Sequence, residues 1–208
     1  GIIVAHVIAS SAFALKCEEA GVDAIVAEGF EAGGHNGREE TTTMTLIPAV
    51  RKVTSLPLLA AGGIGTGSAI LAAMALGADG VQIGSRFAVS EESSAHPDFK
   101  KLVTGLAEGD TKLAMKKVTP VRLIKNEFFQ AVNKLEMEGA DGSELRQLLG
   151  KGRAKKGMFE GDLVEGELEI GQVSSIINDV LPVKTIMENL IQEYHQAKES
   201  MNSDLFEF

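Results

Sequence analysis

The 208-residue chain is 44% hydrophobic and carries 29 acidic against 20 basic side chains, a formal charge of −9. That is enough apolar material for one sizeable core or two small ones, and the wrong sign for non-specific binding of polyphosphate. The single cysteine, Cys17, has no internal disulfide partner, and the longest apolar runs, such as 56–61, fall far short of a bilayer span, so a reducing cytoplasm is expected and neither membrane nor nucleic acid is expected as a partner.

Short β-branched runs alternate with helical patterns from the first residue. Residues 2–8 read as a buried strand with His6 as a satisfied wall or core residue, and Ser10 or Ser11 caps a helix whose apolar face holds Ala14, Leu15 and Ala20. Cys17 on this helix reads as packing. Gly21 is placed to end the helix in the left-handed region. Residues 22–27 form the next strand, then come the loop EGFEAGGHNG and a helix over 46–53. A third strand spans 57–61, followed by the loop GGIGTG and a helix over 69–76 closed by Gly77; a fourth spans 79–83 and ends in Gly84-Ser85-Arg86-Phe87. Four strand-helix units with near-continuous apolar strands predict a parallel sheet covered by helices, in a doubly wound sheet or a (β/α)8 barrel.

The character changes after residue 90. Ser90-Glu91-Glu92 predicts a capped helix start running through Phe99 and Leu102, and 113–124 reads as extended, interrupted by Pro120. Helical patterns follow over 127–137 and 143–149, then a Gly/Lys-rich loop, an acidic loop, and helices over 172–180 and 184–198. His96 reads as capping the turn before Pro97, and His195 as riding a helix face. The domain reading is 1–95 for the strand-helix units, 96–200 for a helical appendage, and 201–208 for a frayed tail.

Two glycine-rich segments, AAGGIGTGSA (60–69) and QIGSRF (82–87), follow parallel strands and precede helical patterns. Backbone N–H groups there point at a bound anion with no Cβ in the way. Gly62, Gly63, Gly84 and Ser85 are the candidate phosphate cradle. The loop from Glu28 to Gly37 lies at the carboxyl end of its strand, where α/β active sites assemble. His35 within it is the candidate general base or hydrogen-bond donor to an anionic substrate. No two histidines have metal-ligand spacing, so no metal site is expected. The basic run 151–156 reads as a solvated loop, with contact to the phosphates of a nucleotide or carrier-protein substrate as the alternative.

The segments EGFEAGGHNG, LPLLAAGGIGTGSAILAAMALGADGVQIGSRFAVSEES and EGDLVEGELEIGQVSSII together resemble the nitronate monooxygenase (2-nitropropane dioxygenase) family, which includes FMN-dependent enoyl-ACP reductases of bacterial fatty-acid synthesis. The resemblance covers almost the whole chain and is densest over 22–95. It implies a TIM barrel holding FMN at the carboxyl ends of its strands. It also implies that Glu28 stands beside the flavin ring where many relatives carry glutamine, and that Gly33 lies in the loop against it. Gly62 and Gly63 match the first phosphate-binding loop, Gln82, Ile83, Gly84 and Ser85 the second, His35 the active-site histidine, and Gln172 a position near the substrate pocket. Ser85 replaces the commoner threonine and keeps its hydroxyl.

Two activities of this flavoenzyme class are expected from the resemblance. One is oxidation of alkyl nitronates with O2 to carbonyl compounds and nitrite; the other is NAD(P)H-dependent reduction of an enoyl thioester, with acyl carrier protein as partner. A homodimer is left open. A phosphate-binding barrel fragment without turnover is the non-enzyme alternative. An IMP-dehydrogenase-like barrel requires a cysteine nucleophile after the phosphate site, and 84–208 contains none. The chain opens Gly1-Ile2-Ile3-Val4 directly into a strand-like run. Since a complete barrel takes about 250 residues, four further amino-terminal units are expected to precede these, the present chain is expected to be the C-terminal half, and weak binding of FMN by this chain alone follows.

Overall fold

The computed structural model describes residues 1–201, so the expected frayed tail lies, beyond Met201, outside the described residues. The strands are β1 (Ala5–Ile8), β2 (Ala24–Glu28), β3 (Gly34–His35), β4 (Leu58–Ala61), β5 (Gly80–Gln82), β6 (Thr111–Ala114) and β7 (Val121–Ile124). The α-helices are α1 (Ser11–Glu19), α2 (Thr43–Arg51), α3 (Gly67–Ala75), the single turn α4 (Ser85–Ala88), α5 (Pro97–Val103), α6 (Glu127–Met137), α7 (Gly142–Leu149) and α8 (Val183–Ser200). No described helix is long and apolar enough to cross a membrane.

Strands β1, β2, β4 and β5 lie side by side in that order, all parallel, and α1 to α4 follow them in turn. This is the expected strand-helix alternation, the arrangement of consecutive (β/α)8 barrel units. The central strands are apolar up to Glu28 at the end of β2: Ile25, Ala27, Leu58 and Ala60 are fully buried in a core with Leu46, Ile47 and Val50 of α2. Gly21 and Gly77 take φ of +79° and +109°, ending their helices as read. Ser10 caps α1 by accepting from the Phe13 N–H.

Several expectations are corrected. β1 begins at Ala5 rather than residue 2, and only Ile8 of it is buried. Among the described residues β1 has β2 as its sole partner, so its outer side is uncovered and His6 is exposed rather than a wall residue. On α1 the buried residues are Ala14 and Cys17, while Leu15 is exposed. Helix α5 starts at Pro97, not at Ser90. The Glu92 carboxylate accepts instead from the Val183 N–H, and the Lys100 ammonium donates to the Glu91 and Ser93 carbonyls, which folds 90–96 into a tied turn. His96 Nδ1 then caps α5 at the Asp98 N–H.

The extended stretch 113–124 resolves into β6 and β7, so the later segment holds a sheet besides its helices. This sheet is antiparallel in the order β3-β7-β6, with β3 supplied by the loop after β2. Amphipathic α6 buries Phe128, Phe129 and Val132 against it. Asn126 caps α6 at Phe129, and its side-chain amide donates to the carbonyls of Leu163, Val164 and Gly166. The basic run 151–156 is not simply solvated: Arg153, Lys155 and Lys156 pair with Glu165, Glu160 and Asp162, neutralising the acidic loop beside it. The C-terminal α8 packs along α3.

Arg122 joins the two sheets. Its side chain is buried in the middle of β7, and its guanidinium donates to the carbonyls of Phe30 and Ala32 at 2.6 to 3.2 Å while lying over the Phe30 ring. Burial holds its pKa below the ordinary guanidinium value, opposed by Glu31 and Glu40. Arg122→Met strips the donors from two carbonyls of a glycine-rich loop, and urea denaturation should show a loss of about 2–4 kcal/mol.

Candidate active site

The parallel register sets three residues in a row across neighbouring strand ends. Glu28 pairs with Ala61, and Ala61 with Gln82. This row floors a cavity of about 230 Å³ whose rim is Gly33, Gly62, Gly63, Gly84 and Ser85. Its far wall comes from much later in the chain: Met158, Glu169, Ile170 and Val173. The volume lies below the ~300–1,000 Å³ of a complete small-molecule site.

The glycines serve different ends. Gly62 has φ +89°, and a Cβ there would stand 2.5 Å from the Gly29 carbonyl oxygen. A Cβ on Gly33 would meet the Ile170 backbone at 2.4 Å. Both are glycine because another strand of chain passes against them. Gly84 differs: its φ is −95° and nothing lies within 4 Å of a Cβ built on it. Gly84 is exposed at the cavity rim, and a side chain there would meet open space. Ser85 Oγ accepts from the Gly171 N–H at 3.0 Å, so the hydroxyl also fastens the far wall to the strand ends. Thr43 braces the floor, its Oγ1 lying 2.8 Å from the Gly62 carbonyl oxygen and its N–H donating to the Glu31 carboxylate.

Three sequence-read positions fall elsewhere. Ile83 packs under α3 and α8 with Ile70 and Leu190, on the helix side of the sheet. Gln172 is exposed beside Glu108 and Ser175, its N–H donating to the Glu31 carbonyl. His35 is exposed on β3, outside the cavity lining.

Glu169 was not singled out from the sequence, and it lines the cavity where β3 meets the later segment. Along one edge of β7, β3 occupies the first half, with Gly34 opposite Arg122. Residues 168–169 occupy the second, with Glu169 bridged to Leu123 and the Ile124 N–H donating to the Leu168 carbonyl. Gly34 and Glu169 therefore meet end to end, and a Cβ on Gly34 (φ +74°) would stand 2.6 Å from Glu169 Oε2. The carboxylate fills the space that this glycine leaves open. The signal was present as the alternation Glu167-Leu168-Glu169-Ile170, a period of two that marks a strand.

Burial raises the pKa of three carboxyls here above the ordinary value. Glu28 on the floor is raised by desolvation alone, and Glu169 by desolvation, opposed by the nearby charge of His35. Glu167 is pushed up to about 7 by desolvation and by Glu169, with Arg153 opposing. Among the described residues no cluster of three metal-ligating side chains occurs.

Over residues 1–193 the chain matches the family model described as nitronate monooxygenase. It is 34% identical over 200 residues to a probable nitronate monooxygenase of Staphylococcus saprophyticus, covering 91% of this chain and 55% of that protein. It is 33% identical over 188 residues to another of Bacillus subtilis, covering 86% and 54%. The chain thus spans about half the length of these curated relatives. Among solved structures it resembles FabK from Thermotoga maritima, with a TM-score of 0.90 and 36% identity over 97% of this chain and 63% of that one. It also resembles the nitroalkane oxidase of Streptomyces ansochromogenes, with a TM-score of 0.78 and 29% identity over 97% and 60%.

Two outcomes test this geometry. Gly62→Ala, strained in φ and crowded by backbone, should cost about 1–3 kcal/mol in thermal or urea unfolding, whereas Gly84→Ala should stay within about 0.5 kcal/mol of the parent. The folded state binds the Glu167 proton more tightly than the unfolded state. This contribution is therefore complete below pH 4.5, lost as pH rises to about 7, and constant above. Glu167→Gln should remove that slope, gaining on the order of 2–3 kcal/mol at pH 8 relative to the parent. On sequence, fold and cavity together, the chain belongs to the nitronate monooxygenase family of oxidoreductases.

Proposed function

We propose that the protein is an FMN-dependent oxidoreductase whose substrate is a neutral, electron-poor double bond such as an enoyl thioester, with NAD(P)H as reductant. The observation that carries this reading is the pair of half-buried carboxyls, Glu28 and Glu169, facing one cavity whose other lining is glycine backbone, apolar side chains, Gln82 and Ser85. Burial there favours the uncharged carboxyl and penalises any charge, so a charged reacting end loses hydration that these walls do not replace. A neutral acceptor carries no such penalty.

The residues suit FMN. The turn at Gly84 and Ser85 offers backbone N–H groups and open space for a phosphate, Gly62 and Gly63 bring backbone to the same rim, and Ile64 and Val173 supply apolar wall. Glu28 and Gln82 stand at the strand ends either side of β4, where a flavin ring system would meet polar side chains. FMN, when bound, supplies the two-electron chemistry that no side chain offers. The chain's own part is to seat the cofactor, exclude water with the far wall, and manage a proton. That far wall, contributed by the segment after residue 96, supports reading the two segments as parts of one working unit. Acyl carrier protein is the partner that this reading implies.

A second reading, oxidation of alkyl nitronates with O2, is favoured by the names of the matching family and curated relatives. The two separate in one experiment. Flavin loaded into the protein is reduced anaerobically by NADH, then mixed with crotonyl thioester; oxygen uptake is measured in parallel with propionate 3-nitronate. Rapid reoxidation by the thioester, with little nitronate-driven uptake, is the expected result, and the reverse pattern establishes the nitronate reading.

A further inference from the structure

The charged side chains that line the cavity are two carboxyls, Glu28 and Glu169, and among the described residues no cation lines it. We propose that Glu169 sets the charge selectivity of the cavity: an anionic ligand is admitted only with a proton on the Glu169 carboxyl, whereas a neutral ligand of the same shape binds without that requirement.

Three observations carry it. The segment bearing Glu169 is pinned on both sides, by the bridge to Leu123 and the Ile124 N–H bond to the Leu168 carbonyl before it, and by the Gly171 and Gln172 N–H bonds to Ser85 Oγ and the Glu31 carbonyl after it. Its side chain is therefore fixed as wall. Gly34, at φ +74°, leaves room for the carboxyl, since a Cβ there would stand 2.6 Å from Glu169 Oε2. Finally, among the described residues no hydrogen bond or ion pair engages this carboxyl, whereas that of Glu31 accepts from the Thr43 N–H and hydroxyl.

A carboxyl half withdrawn from water and without a partner ionises at a cost, and a second negative charge in the same hollow adds Coulomb repulsion to that cost. With an anion bound, the neutral carboxyl is the lower-energy form. Each anion that enters above the titration of Glu169 therefore brings a proton from solvent to one carboxylate oxygen, and each anion that leaves releases it. Burial already moves Glu169 in this direction, above the ordinary carboxylate range. The surrounding charges divide. His35, on β3, favours the ionised form; Glu167, on the same segment, is a further repelling carboxyl and is answered by Arg153. Arg122, on β7, is engaged by the Phe30 and Ala32 carbonyls. Glu28, at the end of β2, is the rival proton acceptor, but it stands on the floor that the flavin ring would cover. The choice of Glu169 over Glu28 rests on the FMN seat proposed above; the linkage of anion to proton does not depend on which reaction follows.

The test compares crotonate with crotonamide, an anion and a neutral molecule of the same shape, by titration calorimetry on the whole protein with saturating FMN and no NADH, over about pH 6 to 9. Crotonate affinity should fall with rising pH by up to ~10-fold per unit, with about one proton taken up per ligand where the fall is steepest, read from buffers of different ionisation heat. Crotonamide affinity should be level. In Glu169→Gln and in Glu169→Met the slope and the proton uptake should vanish, and Glu169→Gln should bind crotonate about 10-fold or more tightly than the parent at the alkaline end. Glu167→Gln, which removes a carboxyl from the same segment but not from the lining, should keep the slope. A cooperative thermal transition in each variant shows that it is folded. A slope that survives in Glu169→Gln, a slope lost in Glu28→Gln instead, or equal affinity for the two ligands at every pH, none for either included, overturns the proposal. Protein that takes up no FMN overturns the cofactor reading alone, and the same titrations on the flavin-free protein still decide the linkage.

Discussion

The Arg122 guanidinium is the point on which the arrangement turns. It sits inside an otherwise apolar strand and is satisfied only by carbonyls of the loop that leaves β2. A buried cation cannot be left unpaired without a cost of several kcal/mol, so β7 has one acceptable position relative to the parallel sheet. Once β7 is fixed, its free edge takes up β3 on one half and residues 168–169 on the other, and the far wall of the cavity is set. The Ser85 to Gly171 bond and the Gln172 to Glu31 bond then close the seam. A single polar requirement in one strand thereby aligns residues separated by more than a hundred positions in sequence.

The parts of this structure legible in the sequence are those governed by local rules. The four parallel strands, the capping by Ser10, the left-handed glycines at 21 and 77, and the glycine-lined strand ends all follow from short-range pattern. What was not legible depends on partners far along the chain. Two residues, Gly34 and His35, are too short a run to announce a strand, and they become one only because β7 offers an edge. Ser90-Glu91-Glu92 looks like a helix start until the backbone of Val183 claims the Glu92 carboxylate. Glu169 was hidden by the same logic: an alternating segment in an acidic loop has no meaning until its neighbours are known. Within the strand ends, Ile83 shows the limit of reading a motif as a block. Adjacent residues of a strand face opposite sides, so Gln82 reaches the cavity and Ile83 the helices.

The electrostatics of the cavity bear on how one fold serves two chemistries. Backbone amides at the glycine turns suit a phosphate, while the carboxyls of Glu28 and Glu169 stand where a reacting group would lie. A family that shares the glycine turns can change its substrate by changing the wall.

The first turn of α3 is closed in part by a residue near the far end of the chain: the Gly67 N–H donates to the Glu193 carboxylate of α8 at 2.7 Å, while Thr66 caps Ala69. The positive end of that helix, an attractive perch for a ligand anion, already has a resident counter-ion from the same polypeptide. The docking of the last helix and the electrostatics of the α3 amino terminus are therefore one decision rather than two.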